Sequence, residues 1–177
     1  MPKLGVYGSE PRHTLCIVNP SLRNYVGHYF EYDRSLIEPA RRGEYNVVIL
    51  GHKQVEPEIS DIMPVEKCFT TDVWGSGPHL NNARSILNLL SLNIRFYREL
   101  RDGLSRVKLT SNSVVFAPTV TSAQLLGWAW YVQSHRSISA PSVTLLLRYQ
   151  PSLYANRCAE WAFRILERVE KGGRLKL

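Results

Sequence analysis

Five short apolar runs punctuate the chain: TLCIV at 14–18, NVVIL at 46–50, KCFTT at 67–71, SVVFA at 113–117 and SVTLLL at 142–147. They are mostly continuous rather than alternating, and rich in Val, Ile and Leu. Strands of a parallel sheet read this way, because neither of their faces meets water. Between them the period lengthens to that of a helix. Residues 27–42 place Tyr29, Leu36, Ile37 and Ala40 on one side, and Pro39 is expected to kink or stop that helix. Residues 79–106 carry the longest pattern, in which Ala83, Ile86, Leu87, Leu90, Ile94, Tyr97, Leu100 and Leu104 are predicted to share one face, with Gly103 interrupting near the end. Residues 121–135 open with Thr121 and Gln124, at the spacing of a capping box. Residues 153–171 set Ala155, Cys158, Ala162, Ile165, Leu166 and Val169 on one stripe, and KGG at 171–173 supplies a terminating glycine.

Strands alternating with helices predict a three-layer α/β/α, doubly wound parallel sheet of five or six strands, Rossmann-like, with right-handed crossovers. Between the second and third strands, GHKQVEPEISDIMPVE leaves room for a short helical turn, and DVWGSGPHL at 72–80 reads as a glycine-rich loop. Residues 1–12 are expected to form a flexible N-terminal segment before a single domain. The closing RLKL resembles the opening of a sixth strand, so the chain is expected to be the N-terminal half of a longer, two-domain protein.

Composition narrows the picture modestly. At 177 residues the chain can bury a substantial core, and its 44% hydrophobic and 21% charged content is that of an ordinary globular protein. No apolar run reaches the roughly 20 residues of a membrane span, and MPKLGVYGSEPRH has no apolar signal region, so a cytoplasmic location is expected. Three cysteines, Cys16, Cys68 and Cys158, lie far apart with no zinc or disulfide spacing, and Cys16 and Cys68 sit in strand-like runs as small hydrophobes. The net charge of +7 comes from scattered Arg and Lys. No nucleic-acid motif accompanies it, so no nucleic-acid partner is expected. The charge suits a phosphorylated or acidic ligand, or peripheral contact with an anionic membrane, and equally a solvated basic surface.

In an open parallel sheet, ligands bind beyond the carboxyl ends of the strands, where the strand order reverses. With the usual order 3-2-1-4-5, two loops meet there: Asn19–Gly27 after strand one, and APTVTS at 117–122 after strand four. Helix starts with free N–H groups favour anions or hydroxyl-rich ligands. Candidate ligand contacts are Asn19, Arg23, Gly27, Thr119, Thr121, Ser122, Arg148 and Tyr149, with His28 as the candidate catalytic group. Gly27 allows either a ligand against the backbone or a plain helix cap. His28 either takes a hydroxyl proton or packs as an ordinary side chain. Arg148 suits phosphate or carboxylate, or is surface charge. Trp128, Trp130 and Trp161 read as packing, and Trp74 as the better candidate for contact with a ligand or a partner domain. The chain has no GxGxxG after strand one, no GxxxxGK[ST] and no GxSxG, and no metal-ligand spacing, so no metal or bound cofactor is expected.

The stretch CIVNPSLRNYVGHYFEYDRSLIEPARRGEYNVVILGH resembles the opening of glycosyltransferases of the GT-B fold, particularly the family 4 type. Those enzymes begin with a strand, a glycine loop, a helix of the kind GGxxxhvxxLAxxLxxxGHEV and a second strand. Gly27-His28 takes the glycine position, and VVFAPTVTSAQLLGWAWY and VTLLLRYQPSLYANRCAEWAF resemble later units of the same domain. This chain departs from the pattern in its single glycine, in Pro39 and in EYN where GHE is usual. The resemblance implies the acceptor-binding half of an enzyme that moves a sugar from a nucleotide-sugar cosubstrate to a glycan or lipid-linked hydroxyl. It implies a missing C-terminal donor-binding domain, no divalent metal in the chemistry, and an isolated chain without activity. A stand-alone Rossmann-like module or enzyme for a nucleotide or phosphorylated ligand is the alternative.

Overall fold

The structure is a computed structural model and describes residues 13–26, 28–71, 83–135, 137, 140–148, 157–173 and 175–177. The expected flexible segment 1–12, the glycine-rich loop with Trp74, and the ligand candidates Gly27 and Tyr149 lie outside the described residues. Strands and helices alternate as β1 (His13–Val18), α1 (Tyr29–Arg42), β2 (Tyr45–His52), α2 (Pro57–Ile62), β3 (Val65–Phe69), α3 (Ala83–Arg106), β4 (Val114–Val120), α4 (Leu125–Ser134), β5 (Ser142–Leu147), α5 (Arg157–Glu170) and β6 (Leu175–Lys176). All pairings are parallel, in the order β3-β2-β1-β4-β5-β6. The order reverses between β1 and β4, the switch point beyond which the ligand crevice is expected. RLKL does supply a sixth strand, through the pairing of Leu175 with Val143.

The two faces of the sheet are covered by different helices. Cys16, Val18, Val115, Ala117, Val143 and Leu145 point into a core roofed by α3, α4 and α5. Ile17, Val47 and Ile49 point the other way, into a core closed by Phe30 and Ile37 of α1 and Ile59 of α2. This is the three-layer, Rossmann-like arrangement that right-handed crossovers require.

Several local expectations change. Pro39 does not stop α1, which continues to Arg42 and is closed by the Gly43 amide on the Pro39 carbonyl. So near the helix end, a missing N–H costs a single bond. α4 begins at Leu125 rather than 121, with Thr121–Gln124 forming a turn. Trp161 is exposed, whereas Trp128 is buried. The largest revision is the face of α3. Its buried stripe is Leu89, Asn93, Phe96, Leu100 and Leu104, while the expected core residues Ile86, Leu87 and Ile94 are exposed. Gly103 does not break the helix. A Cβ there would stand 2.4 Å from the Cys68 sulfur, so the glycine lets α3 lie close on β3.

Candidate functional site

The loop after β1 leaves the sheet because Pro20 cannot donate to a ladder. Before it, the Asn19 amide makes a last bond to the Leu50 carbonyl at 3.0 Å. Leu22 then drops into the core beneath α1 and α2, and the loop is stitched across the carboxyl end of β2 by His52 N–H to the Leu22 carbonyl and Glu56 N–H to the Arg23 carbonyl, at 3.3 and 2.8 Å. Sequence and burial together therefore fix this loop over β2 as well as beside β1.

Asn19 is buried, and both ends of its amide are engaged. Its Nδ2 donates to Asp33 Oδ2 at 2.7 Å, and its Oδ1 accepts the Ser21 amide at 3.3 Å. Asn19 thus organises the loop rather than offering itself to a ligand. Its partner Asp33 was not among the sequence candidates. It sits on α1 between Phe30 and Ile37, fully buried, with Oδ1 meeting no hydrogen-bond partner. Burial pushes its pKa up to about 7, with the bond from Asn19 pulling partly in the other direction. The signal available in the sequence was positional: a lone carboxylate at i+3 from Phe30 and i−4 from Ile37, inside the apolar stripe.

Arg23 is also drawn inward. Its Nη2 lies 2.9 Å from Nε2 of the buried His52, whose Nδ1 lies 3.0 Å from the Gln54 amide. A neutral imidazole carries one proton, so the two ring nitrogens cannot both accept. The ring thus accepts from only one of the two, and His52 links the loop after β1 to the end of β2.

The opposite wall is built by β4 and β5. β4 runs to Val120, so Ala117–Val120 belong to the strand, and the loop expected at 117–122 starts only at Thr121. Thr119 is a half-buried strand residue and Ser122 a half-buried turn residue. Half of the capping box forms: the Thr121 amide donates to Gln124 Oε1 at 3.4 Å. The other half does not. Thr121 Oγ1 is buried and meets no partner. A buried hydroxyl left so costs about 1–3 kcal/mol. Beside it, the Arg148 amide bonds the Val120 carbonyl at 3.0 Å, and the Arg148 side chain is exposed at the end of β5.

His28 stands at the start of α1, exposed, its ring 4.8 Å from that of Tyr29, and it makes no side-chain cap to the helix. Thr119, Thr121, Ser122 and Arg148 thus lie at the carboxyl ends of β4 and β5, and His28 at the start of α1, after the loop that carries Asn19 and Arg23. Among the described residues, no group of three or more His, Cys, Asp or Glu side chains is placed to hold a metal ion. Among the same residues, no helix is long and apolar enough to cross a membrane. No protein-family model matches the chain, and no curated protein matches it in sequence.

Proposed function

We propose that the crevice between β1 and β4 is the acceptor-side wall of a glycosyltransferase of GT-B type, completed by a second, donor-binding domain. The observation that carries this reading is the unpartnered Thr121 hydroxyl at the switch point, with the exposed Arg148 on the same wall. An unpaired buried hydroxyl at the carboxyl end of β4, the end at which α/β sheets receive ligands, suits a polar, hydroxyl-bearing partner that the turn after β4 would admit. The resemblance in the first fifty residues supplies the reaction class, which is a fold-level analogy.

In this reading Thr121 and Ser122 hydrogen-bond the acceptor, and His28 takes the proton of the attacking hydroxyl as its oxygen bonds to the sugar's anomeric carbon. The nucleoside diphosphate leaves with the electron pair of the broken bond. Arg148 holds anionic groups of the acceptor or of the leaving diphosphate. Asp33 and Asn19 fix the loop that presents His28. Peripheral contact with an anionic membrane fits a lipid-linked acceptor and a charge of +7.

The test is amide NMR of this chain with methyl and octyl glycosides, beside thermal-shift measurements with nucleotide sugars, sugar phosphates and NAD. A half-site predicts that glycosides perturb the amides of 28–34 and 119–125, while no nucleotide stabilises the chain alone. Stabilisation by several degrees with a nucleotide or NAD would instead identify a self-sufficient nucleotide-binding domain.

A further inference from the structure

A concavity lies at the amino ends of β5 and β6, the opposite end of the sheet from the proposed acceptor site. It measures about 620 Å³ and is lined by the last turns of α4 and α5 and the beginnings of β5 and β6. Small-molecule sites commonly occupy about 300–1,000 Å³. Its apolar wall is Val132, Val143, Val169 and Leu175, and Tyr131 adds an aromatic surface that stacks on His135 with centroids 4.4 Å apart.

Arg168 and His135 give the cavity its charge and ring-nitrogen chemistry, beside the neutral amide of Gln133, which can donate or accept. Arg168 is exposed and has no carboxylate partner among the described residues, although nearby Arg164 pairs with Glu160 at 2.6 Å. His135 Nδ1 lies 3.0 Å from the Tyr131 carbonyl, which can only accept. In the tautomer that donates from Nδ1 to this carbonyl, Nε2 is an acceptor, and Ser134 Oγ, 3.0 Å from Nδ1, is compatible with it. The carboxyl-terminal ends of α4 and α5 converge on the same cavity, adding carbonyls with negative partial charge. A bare cation would meet Arg168, and a bare anion would meet these carbonyls. A molecule carrying one anionic group and, across an apolar body, a hydroxyl or N–H donor complements both.

We propose that this cavity is a ligand site for a small aromatic carboxylate that also bears a hydroxyl or N–H donor. The carboxylate pairs with Arg168, the ring lies against Tyr131, Val143 and Leu175, and the donor reaches His135 Nε2 or a helix-end carbonyl. The site is separate from the proposed acceptor crevice, because it opens at the amino ends of the strands rather than their carboxyl ends.

The probe is 6-hydroxy-2-naphthoate, followed by its own fluorescence, with 2-naphthol as the partner compound lacking the carboxylate. Saturable binding to the folded chain is expected, with 2-naphthol at least about tenfold weaker, since loss of one charge-assisted pair is worth that much. Arg168→Gln, a surface change, should weaken the naphthoate about tenfold and leave 2-naphthol unchanged. Ala140→Phe, which fills the lining from outside the core, should abolish both. Thr121→Val and Arg148→Gln, at the far end of the sheet, should change neither. Absence of saturable binding overturns the proposal. So does equal affinity for the two compounds, an unaltered Arg168→Gln variant with a normal melt, or loss of binding in the far-end variants.

Discussion

Asn93 of α3 and Asp33 of α1 make an instructive pair. Both are polar, both are fully buried, and each stands within the stripe that its helix turns inward. Asn93 is satisfied at both ends. Its Nδ2 donates to the Leu89 and Ala123 carbonyls and its Oδ1 accepts the Gly127 amide, all at 2.8 Å. The seam works only because residue 127 is glycine: a Cβ there would lie 2.6 Å from the Phe96 ring and 3.2 Å from the Asn93 carbonyl. Asp33 has a single bond, and its second oxygen has none. A fully satisfied buried network rigidifies, whereas a half-satisfied one is sensitive to whatever reaches it. The α3–α4 seam is thus the locked part of the molecule, and the β1–α1 junction is the part left responsive.

Removing the lock should produce the largest effect. Asn93→Leu keeps the volume but orphans the Gly127 amide and the Ala123 carbonyl; the Leu89 carbonyl loses only its side-chain donor. With each orphaned group costing about 1–3 kcal/mol, a loss of roughly 4 kcal/mol is expected in urea denaturation. A loss below about 1 kcal/mol would mean that the seam is held by packing, and the contrast with Asp33 would collapse.

Asp33 comes next, and its signature is pH. Its pKa rises from 3.8 to about 7, so the folded chain keeps a proton that the unfolded chain has already released. The contribution to stability is therefore complete below pH 3.8, declines as pH rises towards 7, and is level above that. Three pH units of difference correspond to at most roughly 4 kcal/mol, reduced by any relaxation of the loop. Asp33→Asn mimics the protonated form. It should be the more stable protein at pH 8 and nearly equal to wild type at pH 4. Identical pH dependence of the two proteins would show that Asp33 is ionised in the fold.

The same pair explains what could be read from the sequence. Short apolar runs located all five long strands, because the central strands are covered on both faces; edge strand β3, with Glu66 and Lys67 exposed, shows the weakest pattern. The buried face of α3 was located only in part. Leu100 and Leu104 are buried as expected, but Asn93 and Gly103 also occupy the inward stripe while Ile86, Leu87 and Ile94 face outward, so hydrophobicity misjudged the helix's first half. Asp33 was invisible because a lone carboxylate is ordinarily a surface residue; only its spacing from Phe30 and Ile37 betrays it. Asn19 was found, and its side chain bonds Asp33 and the Ser21 amide, tying the loop to α1. Which polar groups are satisfied depends on contacts between distant segments, and periodicity carries no information about those.

Thr121 tests whether an unsatisfied group belongs to a site or is merely tolerated. Its buried hydroxyl has no partner, so Thr121→Val removes a desolvated polar group while preserving shape. A gain of about 1 kcal/mol in stability is expected, together with weaker glycoside perturbation at 119–125. A loss of stability would show that the hydroxyl is hydrogen-bonded in solution, and would remove the observation on which the proposed function rests.

The smallest change sharpens the contrast from the sealed side. Cys16 and Cys68 lie beneath α3–α5, and burial pushes their thiols up to about 12 and about 11 respectively. For Cys68 the nearby Arg106 guanidinium opposes that rise, and its sulfur also lies 3.0 Å from the Glu99 carbonyl. The thiolate is the reactive form, so neither should react with a disulfide reagent at pH 8 while the fold persists. Cys158, half-buried on α5, is the thiol left to react. One equivalent should therefore be labelled in buffer and all three in denaturant. Asn93→Leu should accelerate labelling of Cys16 and Cys68 by opening the helical roof, whereas Asp33→Asn, on the other face of the sheet, should not. If both variants accelerate it equally, the two halves open as one unit, and the distinction between a locked seam and a responsive junction fails.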